Sequence, residues 1–182
     1  MHDLPFSLDV TIVSLLASPV HRFEGRPLDG PLESSARELH NSIDVRAGLG
    51  IVGDRYFGRS AHVTSAVTVQ AIESLEYVAQ TLGLGRELNP ADTRRNIIVR
   101  GVPIDAMRDV TFSLDSGPGP VVFRAHRPAN PCAWMDVTLA PGAHRALRAR
   151  GGMRCEPLTD GTLTVGPAVL LSSIELASPA LF

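Results

Sequence analysis

The feature that most constrains the fold is a series of short apolar runs, rich in β-branched residues, that glycine and proline interrupt. Residues 110–114 and 121–125 are two such runs, and the Gly-Pro-Gly-Pro segment at 117–120 between them predicts a β-hairpin. Further segments with the length and composition of strands are residues 10–17, 42–46, 96–100, 152–157, 162–165 and 168–176. Many short strands of this kind predict a mainly β, barrel-like fold.

Two segments predict helices at the periphery of the barrel. In residues 69–82 apolar side chains recur at intervals of three and four, and a glycine follows as a stop signal. Residues 143–150 predict a short basic helix that ends at a Gly-Gly pair, whereas residues 21–41 predict a long loop. We therefore expect residues 1–182 to form a single mainly β domain, a barrel with a few peripheral α-helices.

The composition narrows the location and the partners. The 182 residues are 44% hydrophobic and 20% charged, which is typical of a globular protein. The longest apolar run, at 10–17, is shorter than the roughly 20 residues of a membrane-spanning helix, and the N-terminus lacks a secretory signal pattern. The formal net charge of −2 does not favour a nucleic-acid surface. We expect a cytoplasmic protein without a nucleic-acid or membrane partner.

The absence of lysine excludes several kinds of chemistry, because all 17 basic residues of the sequence are arginine. A covalent aldimine with pyridoxal phosphate requires a lysine amine, and so does Schiff-base catalysis. A Walker A loop requires its Gly-Lys pair. These three possibilities are therefore excluded.

The segment RPANPCAWMD at 127–136 contains the candidate reactive residue, Cys132. The two prolines of this segment fix the backbone on the approach to the cysteine, and Arg127 and Asn130 lie beside it. The positive charges of Arg124 and Arg127 would favour the thiolate, the form of cysteine that attacks or binds metal. From these residues alone, packing and chemistry remain equally open for Cys132. For Cys155, which lies in a predicted strand, we favour a structural role.

Two arginine-containing segments are further candidates. GLGIVGDR at 48–55 contains the spacing of a dinucleotide-binding loop, but the residues that follow are a poor start for a helix, so we favour a turn that presents Asp54 and Arg55. These two residues would form either a structural ion pair or part of a site. In DTRRNIIVRGV at 92–102, the strand alternation predicts Arg94 and Asn96 on one face and Arg95 on the other. A surface ion-pair role is the alternative there.

Four segments in this order resemble the MOSC domain, a family named for the C-terminal domain of molybdenum-cofactor sulfurases. They are GLGIVGDR, DTRRNIIVRGV, NPCAWMD and RGGMRCEPLTDGTLTVGPAV, and the resemblance covers residues 8–176. It implies a β-barrel that binds the molybdenum cofactor (molybdopterin). It also implies that Cys132 is the catalytic sulfur and the metal ligand. The resemblance and the local chemistry together give the cofactor-binding candidates Asp54, Arg55, Arg94, Arg95, Asn96, Arg127 and Asn130.

Three functions remain open at the level of the sequence. The first is a small reductase of N-oxygenated compounds, with Cys132 as the molybdenum ligand. Such an enzyme would need a separate electron donor, because the sequence has no flavin, haem or iron–sulfur motif. The second is a sulfur carrier or cofactor-handling module that holds a persulfide on Cys132, with a cysteine desulfurase as a possible partner. The third is a non-catalytic anion-binding protein of the same fold. The sequence does not indicate the oligomeric state.

Overall fold

The computed structural model describes residues 3–177, in which strands predominate. The strands are Phe6–Leu16 (β1), Leu39–His40 (β2), Ser42–Arg46 (β3), Gly50–Ile51 (β4), Val67–Ala71 (β5), Ile97–Arg100 (β6), Thr111–Asp115 (β7), Val121–Pro128 (β8), Met153–Pro157 (β9), Gly161–Thr164 (β10) and Gly166–Ser172 (β11). The α-helices are Glu73–Thr81 (α1), Trp134–Thr138 (α2) and Ala143–Ala146 (α3). Short 3-10 helices cover Pro27–Asp29, Ser60–Ser65, Pro90–Thr93 and Ile104–Ala106. None of the helices in this part of the chain is long and apolar enough to cross a membrane.

Seven of these strands close into a barrel. The order around it is β1, β11, β7, β8, β9, β5 and β6, and β6 pairs with β1 to complete the ring. The neighbours are antiparallel except for β5 and β6, which are parallel. Strand β2 extends the sheet beyond β1, and β10, β3 and β4 form a separate three-stranded sheet. The prediction of a mainly β barrel with a few peripheral helices is confirmed.

Apolar side chains form two cores, one inside the barrel and one outside it. The inner core includes Phe112 and Phe123, whose rings stack 5.4 Å apart on the paired strands β7 and β8. The outer core lies between the three helices and the outer face of the barrel, where Ile98 packs with Leu75 of α1 and Trp134 of α2. Because both faces of β6 are covered, its apolar run does not alternate with polar residues.

The hairpin predicted at residues 110–125 is present as β7 and β8, in antiparallel register. Its turn depends on two glycines with positive φ, Gly117 at 115° and Gly119 at 119°. Their amides donate hydrogen bonds to Oδ1 of Asp115 at 2.8 and 3.2 Å. The side chain of Asp115 therefore closes the turn that the glycines permit.

The prediction of one helix over residues 69–82 is wrong at its beginning. Residues up to 71 belong to strand β5, and the helix α1 starts at Glu73. The apolar periodicity runs through this boundary because β5 lies between β6 and β9 and is buried on both faces, so its sequence does not alternate. The predicted basic helix at 143–150 is limited to Ala143–Ala146, and the predicted loop at 21–41 contains β2.

The Asn96 side chain joins three parts of the fold at the beginning of β5. Its Nδ2 donates to the carbonyl oxygen of Leu16 in β1 and to Oδ2 of Asp54, both at 3.1 Å. Its Oδ1 accepts from the backbone N of Thr68 at 2.9 Å and from the Thr68 hydroxyl at 2.8 Å. Asn96 is buried, and its amide hydrogen-bonding capacity is satisfied inside the protein.

We expect the Asn96→Ala variant to lower the free energy of unfolding by about 3 kcal/mol, because it leaves the backbone N–H of Thr68 without its Asn96 acceptor and removes one of the three hydrogen bonds to the buried Asp54 carboxylate. Urea denaturation measures this change. The matched control is Asn41→Ala, whose side chain is exposed and which should change stability by less than about 0.5 kcal/mol. Equal effects of the two substitutions would show that the Asn96 network contributes nothing specific.

Candidate functional site

A cleft of about 220 Å³ lies on the outside of the barrel, at the loop between β8 and α2. We call it the Cys132 cleft. Its lining combines four arginines and one thiol with aromatic and polar side chains, and no carboxylate lines it. The lining residues are His21, Phe23, Arg55, Thr93, Arg94, Arg95, Asn130, Cys132, Trp134, Met135 and Arg154.

Cys132 lies on the loop that leaves β8, and its side chain is exposed. Its carbonyl oxygen accepts a hydrogen bond from the backbone N of Met135 at 2.9 Å, which ties the loop to the first turn of α2. Trp134 and Met135 are buried in the outer core, so α2 is anchored directly behind the cysteine. The loop therefore presents the sulfur to the cleft from a packed base.

Arg95 holds in place the loop of residues 129–133, which carries Cys132 and which we call the cysteine loop. Its Nε donates to the carbonyl oxygen of Gly151 at 2.9 Å, and its Nη2 donates to those of Ala129 at 2.6 Å and Asn130 at 3.4 Å. Burial, followed by the positive charge of Arg154, lowers the pKa of Arg95 to about 10. Most of the donors of Arg95 are thus used within the protein, and Nη1 is the nitrogen left for a ligand.

Gly151 and Gly152 allow the chain before β9 to approach this loop closely. A Cβ atom at Gly151 would lie 2.2 Å from the carbonyl oxygen of Ala129, and one at Gly152 would lie 2.2 Å from that of Val69. Neither position can therefore accept a side chain without movement of the backbone. The Gly-Gly pair, predicted as a helix stop, therefore also permits this close approach. The approach lets the Gly151 carbonyl oxygen accept the hydrogen bond from Arg95.

The structure corrects the prediction that Arg94 and Asn96 share the face of a strand. Arg94 ends a 3-10 helix with φ 59° and ψ 26°, in the left-handed region, and β6 begins only at Ile97. The guanidinium of Arg94 forms two hydrogen bonds with the Glu38 carboxylate, at 2.8 and 2.9 Å, and its side chain is only 6% exposed. Arg94 is therefore in a buried ion pair instead of the surface pair considered from the sequence.

Glu38 is held ionised by that pair. Burial of the carboxyl opposes ionisation, but the hydrogen bonds from Arg94 and Ser18 outweigh burial, so that the pKa of Glu38 is lowered. The Ser18 hydroxyl donates to Oε1 at 2.6 Å, and Arg22 adds an ion pair at 3.4 Å. This carboxylate therefore connects the segment after β1 to the wall of the Cys132 cleft.

Asp54 and Arg55 follow a turn in which Gly53 has a φ of 84°, as the sequence predicted. Asp54 is buried and accepts from the backbone N of Ser18 at 3.3 Å in addition to Asn96. Asp54 and Arg55 do not form an ion pair with each other. Arg55 instead lies over the Tyr56 ring, 4.7 Å from its centroid, and lines the cleft.

The remaining predicted residues divide between the cleft and its surroundings. Asn130 is exposed and lines the cleft, as do Arg55, Arg94, Arg95 and Cys132. The residues that do not line it are Asp54 and Asn96, which lie behind its wall, and Arg127, which is exposed on β8. Arg124 donates to the Thr111 hydroxyl at 3.3 Å, so its charge is directed away from the cysteine.

Several lining residues were missed by sequence reasoning. Phe23 stacks on Trp134 with ring centroids 5.0 Å apart and planes 5° apart, which brings its neighbour His21 into the cleft. Nothing in residues 21–41 signals this contact. The outward orientation of Arg154 could have been predicted from strand alternation. Met153 and Cys155 are the inward positions of β9, so Arg154 between them must point outward.

The Cys132 cleft carries positive charge that the surrounding residues do not neutralise. No carboxylate of residues 3–177 forms an ion pair with Arg55, Arg95 or Arg154. The Nε atoms of Arg55 and Arg94 are buried without a hydrogen-bond partner in this part of the chain. Guanidinium groups without a carboxylate partner are suited to bind an anionic group.

The comparisons with known proteins agree with this fold. The model of the MOSC domain family matches residues 53–170, and the chain belongs to this family. The crystal structure of the YuaD protein from Bacillus subtilis is similar, with a TM-score of 0.69 and 16% sequence identity over 93% of this chain and 98% of that one. YiiM from Geobacillus stearothermophilus has a TM-score of 0.58 and 15% identity over 91% and 75% of the two chains.

YiiM from Escherichia coli is also similar, with a TM-score of 0.56 and 14% identity over 96% of this chain and 74% of that one. At these identities the similarity establishes the fold. No curated protein sequence matches the chain.

We expect the two cysteines to differ sharply in reactivity. Ellman's reagent should titrate one thiol per native chain, because Cys132 is exposed whereas Cys155 is fully buried and burial raises the pKa of its thiol. Cys132→Ser should abolish this native reaction, and Cys155→Ala should leave it unchanged. Rapid reaction of both thiols in the folded wild type would contradict the burial of Cys155.

We expect the Glu38 ion pair to make stability depend on pH. Because the folded-state pKa lies below the ordinary 4.5, its stabilising contribution is full above that pH and is lost as the pH falls through the folded-state pKa. The free energy of unfolding of wild type minus that of Glu38→Gln should therefore shrink on acidification. Glu33→Gln, at an exposed position, is the control. A difference for Glu38→Gln that stays constant with pH would contradict the assignment.

Proposed function

We propose that the protein binds the molybdenum cofactor in the Cys132 cleft, with the Cys132 sulfur as the protein ligand to the metal. The observation that carries this proposal is the position of one exposed thiol among four arginines, of which Arg55, Arg95 and Arg154 have no carboxylate partner in residues 3–177. A soft thiolate is a suitable ligand for a molybdenum–sulfur centre, and guanidinium groups suit the phosphate of the pterin.

The donor set of the cleft fits such a group. Within residues 3–177, Arg55 and Arg94 each have a buried Nε without an acceptor, and Nη1 of Arg95 forms no hydrogen bond. Residues 3–177 contain no group of three or more His, Cys, Asp or Glu side chains placed to hold a metal ion. A metal beside Cys132 would therefore have to arrive with ligands of its own, as the dithiolene of molybdopterin provides.

Different residues of the cleft would have different roles in binding the cofactor. Arg55 would bind the anionic group directly, whereas Arg95 would fix the cysteine loop and contribute one nitrogen. Phe23 and Trp134 would cover one side of the cleft and exclude water from it. His21 carries an imidazole that can pass a proton at its ring nitrogens to a molecule bound there.

The reaction that we propose is the reduction of an N-oxygenated small molecule, as the family resemblance implies. An N-hydroxylated substrate would take up two electrons and two protons, break its N–O bond and release water. When bound, the cofactor supplies the redox centre for this chemistry. A separate donor protein would supply the electrons.

We expect wild-type protein from a host that makes the cofactor to contain near-stoichiometric molybdenum and pterin. Cys132→Ser should lose most of the metal, because serine offers a harder and more weakly ionised ligand. The matched control is Cys155→Ala, which alters the buried thiol and should keep the metal. Elemental analysis and the fluorescence of the oxidised pterin measure the two components. Full metal content and full reductase activity in Cys132→Ser would refute the ligand assignment.

A sulfur carrier is the second candidate, and the exposure of Cys132 is the observation that favours it. A persulfide on an exposed thiol can reach an acceptor protein, whereas one on a buried thiol cannot. Mass spectrometry of the protein after treatment with a sulfur donor distinguishes the two candidates. A persulfide confined to Cys132 in metal-free protein supports the carrier, and its absence under those conditions counts against it.

A further inference from the structure

Two arginines occupy directly paired positions on neighbouring strands beside the Cys132 cleft. Arg127 of β8 is the register partner of Arg154 of β9, just past the irregularity that follows Ala125. Directly paired residues of antiparallel strands project from the same face with Cβ atoms about 5 Å apart. Like charges in such a pair repel each other, so the sheet gains no stability from it.

The protein contains no counter-charge for this pair within residues 3–177. Neither Arg127 nor Arg154 forms an ion pair with a carboxylate there. Further along the same two strands, Arg124 is the register partner of Glu156, whose carboxylate lies 2.9 Å from Nε2 of His126. The unbalanced charge is thus local to the end of the strands that borders the cleft.

The pair is placed to extend the Cys132 cleft outward. Arg154 lines the cleft, and its positive charge is one of the causes of the lowered pKa of Arg95. Arg127 is exposed outside the cleft, on the strand that leads into the cysteine loop. Asn130, whose side chain is also exposed, lies on that loop between Arg127 and Cys132.

We propose that Arg127 and Arg154 form a second anion subsite, on the rim of the Cys132 cleft, that takes a phosphoryl group. Two guanidinium groups match a phosphoryl group, which carries up to two negative charges and three acceptor oxygens, better than they match a singly charged carboxylate. This inference rests on the proposed function, because it assigns the arginines inside the cleft to the phosphate of the pterin. The phosphoryl group of the rim belongs either to a nucleotide substrate or to a nucleotide-extended form of the cofactor.

The test compares wild type with Arg127→Gln and Arg154→Gln. The control is Arg145→Gln, which removes the same charge from an exposed position on α3. Calorimetry measures the dissociation constant of adenosine 5′-monophosphate for the purified proteins, with adenosine as the probe that lacks the phosphate. Acid release followed by chromatography measures any nucleotide bound with the pterin. Arg127→Gln is the cleaner variant, because Arg127 does not line the cleft.

If the source is a substrate, each rim variant should weaken binding of adenosine 5′-monophosphate about 10-fold, and binding of adenosine should be unchanged. If the source is the extended cofactor, wild type should release a nucleotide with its pterin, and the rim variants should retain less of it. The proposal is overturned if both measurements give the same result in the rim variants, the control and wild type. Molybdenum is measured in every sample, so failure of the proposed function appears separately, as metal-free wild type.

Discussion

The side-chain amide of Asn96 is the interaction on which the geometry of the site depends. It bonds to β1 through Leu16, to β5 through Thr68, and to the turn that ends in Asp54. Asp54 also accepts from the backbone N of Ser18, and Ser18 in turn bonds to Glu38. Because each group in this chain of contacts is buried or partly buried, none can exchange its partner for water without cost. The positions of Arg55 and Arg94 follow from this network.

Arg95 performs the corresponding task for the cysteine loop. A guanidinium group has donors at fixed angles, and here it bonds to carbonyl oxygens from two separate segments, at Ala129 and Gly151. A lysine ammonium carries its three donors on one freely rotating nitrogen and would not hold both segments in one orientation. The close approach at Gly151 and Gly152 is needed for the same reason, since it brings the second segment within reach. Backbone and side chain therefore jointly determine where the Cys132 sulfur lies.

Much of the barrel could be predicted from the sequence, because strand composition and the Gly-Pro-Gly-Pro turn are local signals. The boundary between β5 and α1 could not, because a strand buried on both faces continues the apolar pattern of the helix after it. For the site, the proline-rich approach to Cys132 was visible in the sequence, but the residues alone left a packing role and a chemical role for its thiol equally open. The left-handed backbone of Arg94 and its partner Glu38, distant in sequence, were not, since no local pattern encodes either.

The distribution of charge leaves most arginines of the cleft without a counter-charge from the protein. The acidic groups nearest to the cleft already have partners within the protein. Glu38 forms an ion pair with Arg94, and Asp54 accepts hydrogen bonds from amide N–H groups. Asp105 accepts a hydrogen bond from the backbone N of Gly152 at 2.8 Å, and burial raises the pKa of its carboxyl. Arg55, Arg95 and Arg154 are left without an ion-pair partner in the described chain. A bound anion would remove this mutual repulsion, so the energy that these unpaired charges cost the free protein becomes affinity for the ligand.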